Sequence, residues 1–318
     1  MNQCSYFIEN KALFGSYPSQ EHVELLEKQY GVKYFIDLTC AGERHIKPYK
    51  TLYTYLHYPI VDRNIPKNWN TFALFIIKIC DILKNLKLNE KIYINCRGGH
   101  GRSGIVVACV LCYYFQITPY EALKLTKKYH NNRLEMREKW RKIGSPQTKY
   151  QISFIYKFFN PLYFYKPCRI SNTMGFSNFS DYTVEIEDMG VFPTAESAYN
   201  AFKCPTDKQY VERHKKTKNP IISKRIGNTC VLRSDWKIVK NDIMYKIIEK
   251  KFNQHPTIKE NLIRTGLGLI IMKTNHVSHI ELKEDNKNIL GKLLTKLRLS
   301  FYRQQLNQQQ LLFSQSEF

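Results

Sequence analysis

No apolar run in this 318-residue chain reaches the ~18 residues that a membrane-spanning helix needs. Phe72–Leu83 is broken by Lys78 and Asp81. Met1–Asn10 lacks a charged segment followed by an apolar stretch, the pattern of a secretory leader. The nine cysteines are odd in number and scattered, which argues against a disulfide framework and for a reducing compartment. Cys109 and Cys112 form a C-x-x-C, but there is no second pair to complete a zinc set, and both lie in the apolar run Gly104–Phe115. They read as helix-core residues, and no metal or other cofactor is expected. There is no internal repeat. These absences lead us to expect a soluble, cytoplasmic protein with no membrane contact.

Acidic residues are also scarce: 27 Asp and Glu stand against 49 Lys and Arg, a net charge of +22. The deficit is shared, with 24 basic against 12 acidic residues in 1–160 and 25 against 15 in 161–318. No single tail carries the charge. It suits phosphorylated or polyanionic partners, including a nucleic-acid contact through a basic surface. A Lys-rich and Asn-rich composition that only solvates the surface would give the same numbers.

Residues 34–39 and 53–60 are aromatic and β-branched and predict strands. Apolar residues at helical spacing predict a helix over 69–88. Lys91–Asn95 predicts a short strand, Ser103–Phe115 an apolar helix, Pro119 the first turn of another, and Gln147–Phe159 a last one. Strands alternating with helices indicate an α/β domain with a mainly parallel sheet. The segment 160–170 has two prolines and no period, so the domain boundary is placed there. Beyond it, helices are predicted at Ala195–Lys203, Tyr245–Phe252 and Leu290–Tyr302, and the Gln-rich segment 303–318 is expected to fray.

Between the predicted strand and the apolar helix runs Cys96-Arg97-Gly98-Gly99-His100-Gly101-Arg102-Ser103-Gly104. Attack on phosphorus needs a thiolate, and inward-pointing backbone N–H groups ahead of a helix N-terminus favour that anion. The glycines let the chain curl around a tetrahedral phosphate. Arg102 can bind two phosphate oxygens, and Ser103 can donate its hydroxyl to the departing sulfur. Arg97, Gly98, Gly99, His100 and Gly101 complete the phosphate-binding loop. The basic Arg97 and His100 point to multiply charged substrates or are merely solvent-facing.

This C-x5-R-S resembles the protein tyrosine/dual-specificity phosphatase superfamily over about residues 5–160. Leu13-Phe14-Gly15-Ser16-Tyr17-Pro18, Asp37-Leu38-Thr39 with Glu43, Tyr58-Pro59-Ile60 and Ser145-Pro146-Gln147-Thr148 with Gln151 support it. The resemblance implies that Asp62 is the general acid that protonates the leaving oxygen and then activates water. Position 95 is Asn where the family usually has His, which removes one device that orients the cysteine.

In the C-terminal half, Glu196, Tyr199 and Lys203 lie at i, i+3 and i+7 in Phe192-Pro193-Thr194-Ala195-Glu196-Ser197-Ala198-Tyr199-Asn200-Ala201-Phe202-Lys203. They share one helical face, which suits either a sugar or base site or an exposed Glu/Lys pair. This segment, with Phe176-Ser177-Asn178-Phe179, Asp235-Trp236, Lys251-Phe252, Thr265-Gly266, Asn288-Ile289-Leu290-Gly291 and Leu297-Arg298, resembles the NADAR (YbiA-like) family over about 170–305. The resemblance implies an N-glycosidase acting on ADP-ribose- or NAD-related ligands. Glu196 is then an acid/base and Lys203 a Schiff-base nucleophile, with Phe179, Asn178, Tyr199 and Trp236 around the nucleotide. His276–Lys283 departs from the family's Trp-Gly pair.

The expected architecture is therefore an α/β cysteine-phosphatase fold over 1–160, a mostly α (α+β) NADAR-like domain over 170–305, and a tail at 306–318. The expected function is a bifunctional enzyme acting on a phosphorylated protein, nucleotide or RNA and on an ADP-ribose-type ligand. The alternative is a phosphatase whose second half only binds nucleotide or nucleic acid.

Overall fold

The computed structural model describes residues 3–164, 173, 175–272 and 288–315, and the chain divides into two units, Met1–Asn160 and Pro161–Phe318. Among the described residues no helix is long and apolar enough to cross a membrane.

The first unit is built on a five-stranded sheet in the order β1 (Cys4–Ile8), β2 (Ala12–Gly15), β5 (Lys91–Asn95), β3 (Val32–Asp37), β4 (Thr54–His57). β1 and β2 form an antiparallel hairpin, and the other pairings are parallel. β5 is central, so Ile92, Tyr93 and Ile94 are buried in succession, as expected of a parallel strand covered on both faces. The carboxyl ends of β3 and β5 lie side by side, and the loop after β5 opens there.

The helices are α1 (Gln20–Lys28), α2 (Trp69–Asn85), α3 (Arg102–Phe115), α4 (Pro119–Asn131), α5 (Glu138–Ile143) and α6 (Lys149–Phe158). Local chemistry fixes their starts. Asn68 accepts from the amides of Asn70 and Thr71 ahead of α2, and Thr118/Glu121 and Thr148/Gln151 form capping boxes on α4 and α6. α3 is buried from Arg102 to Cys112. Burial pushes the Cys109 and Cys112 thiols up, so both are inert core groups.

The second unit pairs β6 (Leu162–Phe164) in parallel with β9 (Ile270–Met272), and β7 (Val184–Ile186) with β8 (Gly190–Phe192) in a hairpin. Around them pack α7 (Ala195–Ala201), α8 (Lys208–Lys216), α9 (Pro220–Gly227), α10 (Trp236–Gln254), α11 (Pro256–Ile263) and α12 (Ile289–Gln315). Val184, Phe192, Ala195, Ala198, Trp236 and Ile247 belong to one core cluster. The distant motif pieces meet here. Arg298 donates to Thr265 Oγ1 (2.7 Å) and the Gly268 carbonyl (2.6 Å), and the Asn288 side chain bonds both Ile270 O and Met272 N at the edge of β9. α12 continues through the Gln-rich segment to Gln315, because glutamine is a good helix former. His276–Lys283 lies outside the described residues.

Lys251 of α10 is 0% exposed and donates to the Ser177 carbonyl at 2.9 Å. Burial pulls its amine down to about 7. The unfolded chain takes up this proton below about 10.5, whereas the folded chain does so only below about 7. Stability is therefore lost as pH falls from 10.5 to 7, by on the order of 3–5 kcal/mol, and is flat in this respect below 7. Lys251→Met should abolish that dependence and raise Tm at pH 7, since Ser177 O keeps the Ser180 amide. Calorimetric melts at pH 7 and 9 check this; an unchanged or lower Tm at pH 7 contradicts it.

Candidate active sites

The Cys96–Gly101 loop joins the end of β5 to α3. It is anchored on both sides: Leu38 N donates to Asn95 O (2.9 Å) and Tyr17 N to Arg97 O (3.1 Å). Gly99 has φ +70°, and a Cβ there would come 2.3 Å from the Gly15 carbonyl carbon, so only glycine fits. No side chain caps α3. Its first amides thus face the loop that carries Cys96, a geometry suited to an anion.

Cys96 is buried, with Ser103 Oγ 3.5 Å from its sulfur. Arg102 is 1% exposed. Its Nη1 and Nη2 donate to the two Glu43 carboxylate oxygens (2.8 and 2.6 Å), and Nη1 also donates to Ile60 O (3.0 Å). Burial opposes both charges, but their mutual hydrogen bonds hold the guanidinium up and the Glu43 carboxyl down. The Arg102 Nε is buried without a hydrogen-bond partner. A guanidinium fixed on one edge by a carboxylate presents its other N–H groups in the fork geometry that phosphate oxygens match.

Asp62 follows β4 and stands over the same arginine, with Oδ1 3.2 Å from Arg102 Nη2. Its Oδ2 accepts from Arg97 Nη2 at 3.1 Å. Arg97, expected among the phosphate ligands, thus pairs with Asp62 through its side chain. His100 also departs from expectation. Its ring stacks on Trp140 (centroids 4.9 Å, 21°), and Nδ1 lies 2.8 Å from His130 Nε2. Burial first, then Arg133 and His130, pull it down to about 3, so it adds no positive charge to the loop at neutral pH. Gly98 and Gly101 sit against the His100 ring and the Gln147 and Gln151 side chains.

Asn95, in place of the family's His, is fully buried. Its Nδ2 donates to Asp37 Oδ1 (3.0 Å), and its Oδ1 accepts from Tyr49 (3.2 Å). Asp37 accepts further bonds from Tyr55 (2.6 Å) and from the Thr39 amide and hydroxyl (2.9 Å each). Polar pairing therefore fixes the end of β5 without a histidine. The sequence reading missed this network, whose only signal is Asp37-Leu38-Thr39.

In the second unit, Asn178, Glu196, Tyr199, Asn200, Lys203 and Lys240 line part of a cavity of about 360 Å³, with Met244, Met272 and Leu290 as apolar wall. α7 starts at Thr194, which accepts from Ser197 N, and this turn places Glu196 and Lys203 on the cavity side. Glu196 is 8% exposed, and the Asn200 amide donates to its backbone oxygen (2.9 Å) and to Oε1 (3.4 Å). Lys203 Nζ donates to Gly227 O at 2.8 Å, and burial pulls its amine down. Trp236 and Phe179 are not in the lining. Trp236 is a core residue behind Tyr199 (centroids 5.0 Å), which corrects its expected place around the nucleotide. The apolar part of the lining comes from Met244, Met272, Ile289 and Leu290. Met244 and Met272 were not singled out, because an apolar residue facing a cavity carries the same sequence pattern as one facing the core.

Comparison with known proteins agrees with this division. The family described as "Swiss Army Knife protein, DSP-PTPase phosphatase domain" matches residues 2–155, and the NADAR domain matches 163–302. Protein 197R of Invertebrate iridescent virus 6, named as a candidate tyrosine phosphatase, is 31% identical over 310 residues, covering 94% of this chain and 95% of its own. N-glycosidase YbiA of Escherichia coli (strain K12) is 30% identical over 127 residues, covering 39% of this chain and 78% of its own. The solved structure of E. coli YbiA covers 46% of this chain and 87% of its own, at 27% identity and a TM-score of 0.39. The chain therefore belongs to the tyrosine/dual-specificity phosphatase superfamily through its first unit and to the NADAR family through its second.

Proposed function

We propose that the first unit hydrolyses phosphomonoesters through a phosphocysteine. The observation that carries this is the convergence on one loop mouth of Cys96, an Arg102 with a partnerless Nε, and Asp62 3.2 Å from that guanidinium. Cys96 attacks phosphorus and the P–O bond breaks, with Asp62 giving its proton to the leaving oxygen. Arg102 and the loop amides hold the equatorial oxygens. Water then attacks, Asp62 takes its proton, and the S–P bond breaks as Ser103 donates to the departing sulfur. The substrate is a phosphorylated protein, nucleotide or RNA.

Asp62→Ala should lower turnover by about 10²–10⁴-fold for an alkyl phosphate, the usual contribution of a general acid. The loss should shrink for p-nitrophenyl phosphate, whose leaving group needs no proton. Steady-state rates on both substrates check it, and equal losses would assign Asp62 another role.

For the second unit we propose N-glycosidic cleavage of an ADP-ribose-related substrate. Lys203 Nζ attacks the anomeric carbon, the bond to the base nitrogen breaks, and Glu196 protonates that nitrogen. The opened ribose forms an imine on Lys203, which water hydrolyses. A desolvated amine beside a buried carboxylate supports this reading, and Lys224 and Lys240 on the rim suit phosphates. The Lys203 bond to Gly227 O favours the rival, a nucleotide-binding module. Release of guanosine and ADP-ribose from ADP-ribosylated guanosine by the full chain, lost in Glu196→Gln, separates the two.

A further inference from the structure

We propose that the outer side of the Cys96 loop holds a second anion-binding subsite, which takes a further phosphoryl group of a substrate whose scissile phosphate sits on Cys96. This rests on the phosphatase reading above. A cavity of about 220 Å³ opens there, lined by Ser16, Gly98, His100, Arg133, Arg137 and Trp140 among others. It shares Gly98 and His100 with the catalytic loop. Gly98 is two residues from Cys96, so the backbone path between them is at most about 7 Å. That is within reach of two phosphates joined directly or carried on neighbouring carbons.

Arg133 is the unusual group. It is 2% exposed, yet no carboxylate lies within ion-pair distance among the described residues. Its guanidinium lies over the Phe14 ring (4.4 Å), Nη2 donates to Phe14 O (3.2 Å), and Nε is buried without a partner. A buried cation held this way costs several kcal/mol unless an anion or further hydrogen bonds offset it. Burial is severe enough to pull even this guanidinium down to about 10. Arg141 fixes the turn that bears it, donating to the carbonyls of Asn131 (2.5 Å), Arg133 (2.5 Å) and Leu134 (3.2 Å). Arg137 adds a second guanidinium at the rim, against one lining carboxylate, Glu135. Trp140 stacked on a neutral His100 closes one side with a flat, uncharged wall. Two guanidiniums on a rigid frame match phosphate oxygens.

The test is calorimetric binding of inorganic phosphate, pyrophosphate and an inositol bisphosphate with adjacent phosphates to full-length Cys96→Ser protein. One of the two-phosphate probes should bind at least about tenfold tighter than inorganic phosphate, and which one does so identifies the linkage. Arg137→Glu, at an exposed position, should erase that advantage while changing phosphate affinity by less than about threefold. Equal binding of all three probes, or an advantage that survives Arg137→Glu, overturns the subsite and leaves the phosphatase reading intact. Absence of wild-type turnover with the advantage retained would overturn the phosphatase reading alone.

Discussion

Cys96→Ser is expected to lower phosphatase turnover by on the order of 10⁴-fold or more while the fold survives. The sulfur is buried, with Ser103 Oγ 3.5 Å away, and a hydroxyl occupies the same place with little loss of packing. A serine hydroxyl stays protonated there, and in the proposed mechanism Asp62 protonates the leaving oxygen rather than deprotonating the nucleophile. The loop's own histidine does not activate that hydroxyl, because the His100 ring is packed against Trp140 and bonded to His130. Rates on p-nitrophenyl phosphate, beside circular dichroism of wild type and variant, check this. More than about a hundredth of the wild-type rate in a folded variant would place the nucleophile elsewhere.

The second large effect is expected at Lys203. With an ADP-ribosylated guanosine substrate, borohydride should trap a covalent adduct on this lysine, and Lys203→Ala should remove both the adduct and turnover, by about 10³-fold or more. Lys203→Arg should not restore either, because a guanidinium does not form the imine. Burial lowers the amine and so enlarges the neutral, nucleophilic fraction near pH 7. Activity should therefore fall as pH drops, because protonation removes the attacking lone pair. The Gly227 carbonyl keeps the Cys230 thiol as donor (3.5 Å), so the alanine variant should fold. Full glycosidase activity in Lys203→Ala would leave the chemistry to Glu196. No activity in either protein would leave a binding module.

The catalytic loop was legible because its chemistry is local. Cys96, the glycines, Arg102 and Ser103 lie on nine consecutive residues, and the strand and helix beside them have strong apolar patterns. What escaped was set by distant pairings. Arg97 turned to Asp62, 35 residues away, and His100 to His130 and Trp140. The hairpin of β1 and β2 was missed because its strands are short, with Gly15 and Asn10 breaking the pattern. α10 runs 19 residues where only Tyr245–Phe252 was expected, since Lys251 takes a core position and Ile238 is exposed, which blurs the apolar stripe. In the second unit, Glu196 and Tyr199 line the cavity from α7, and Lys203 joins them from just past the helix end at Ala201, short of the expected end at Lys203. Trp236 lies one layer deeper, which no spacing rule reveals.

The most direct test of a cysteine phosphatase in the first unit is the intermediate itself. The full-length protein, mixed with a phosphomonoester and quenched in acid within its first turnovers, should carry one phosphoryl group on the peptide containing Cys96. The adduct should accumulate in Asp62→Ala, where water attack is unassisted, and should be absent in Cys96→Ser. Turnover with no phosphopeptide, or with the phosphoryl group on any residue other than Cys96, would contradict the mechanism.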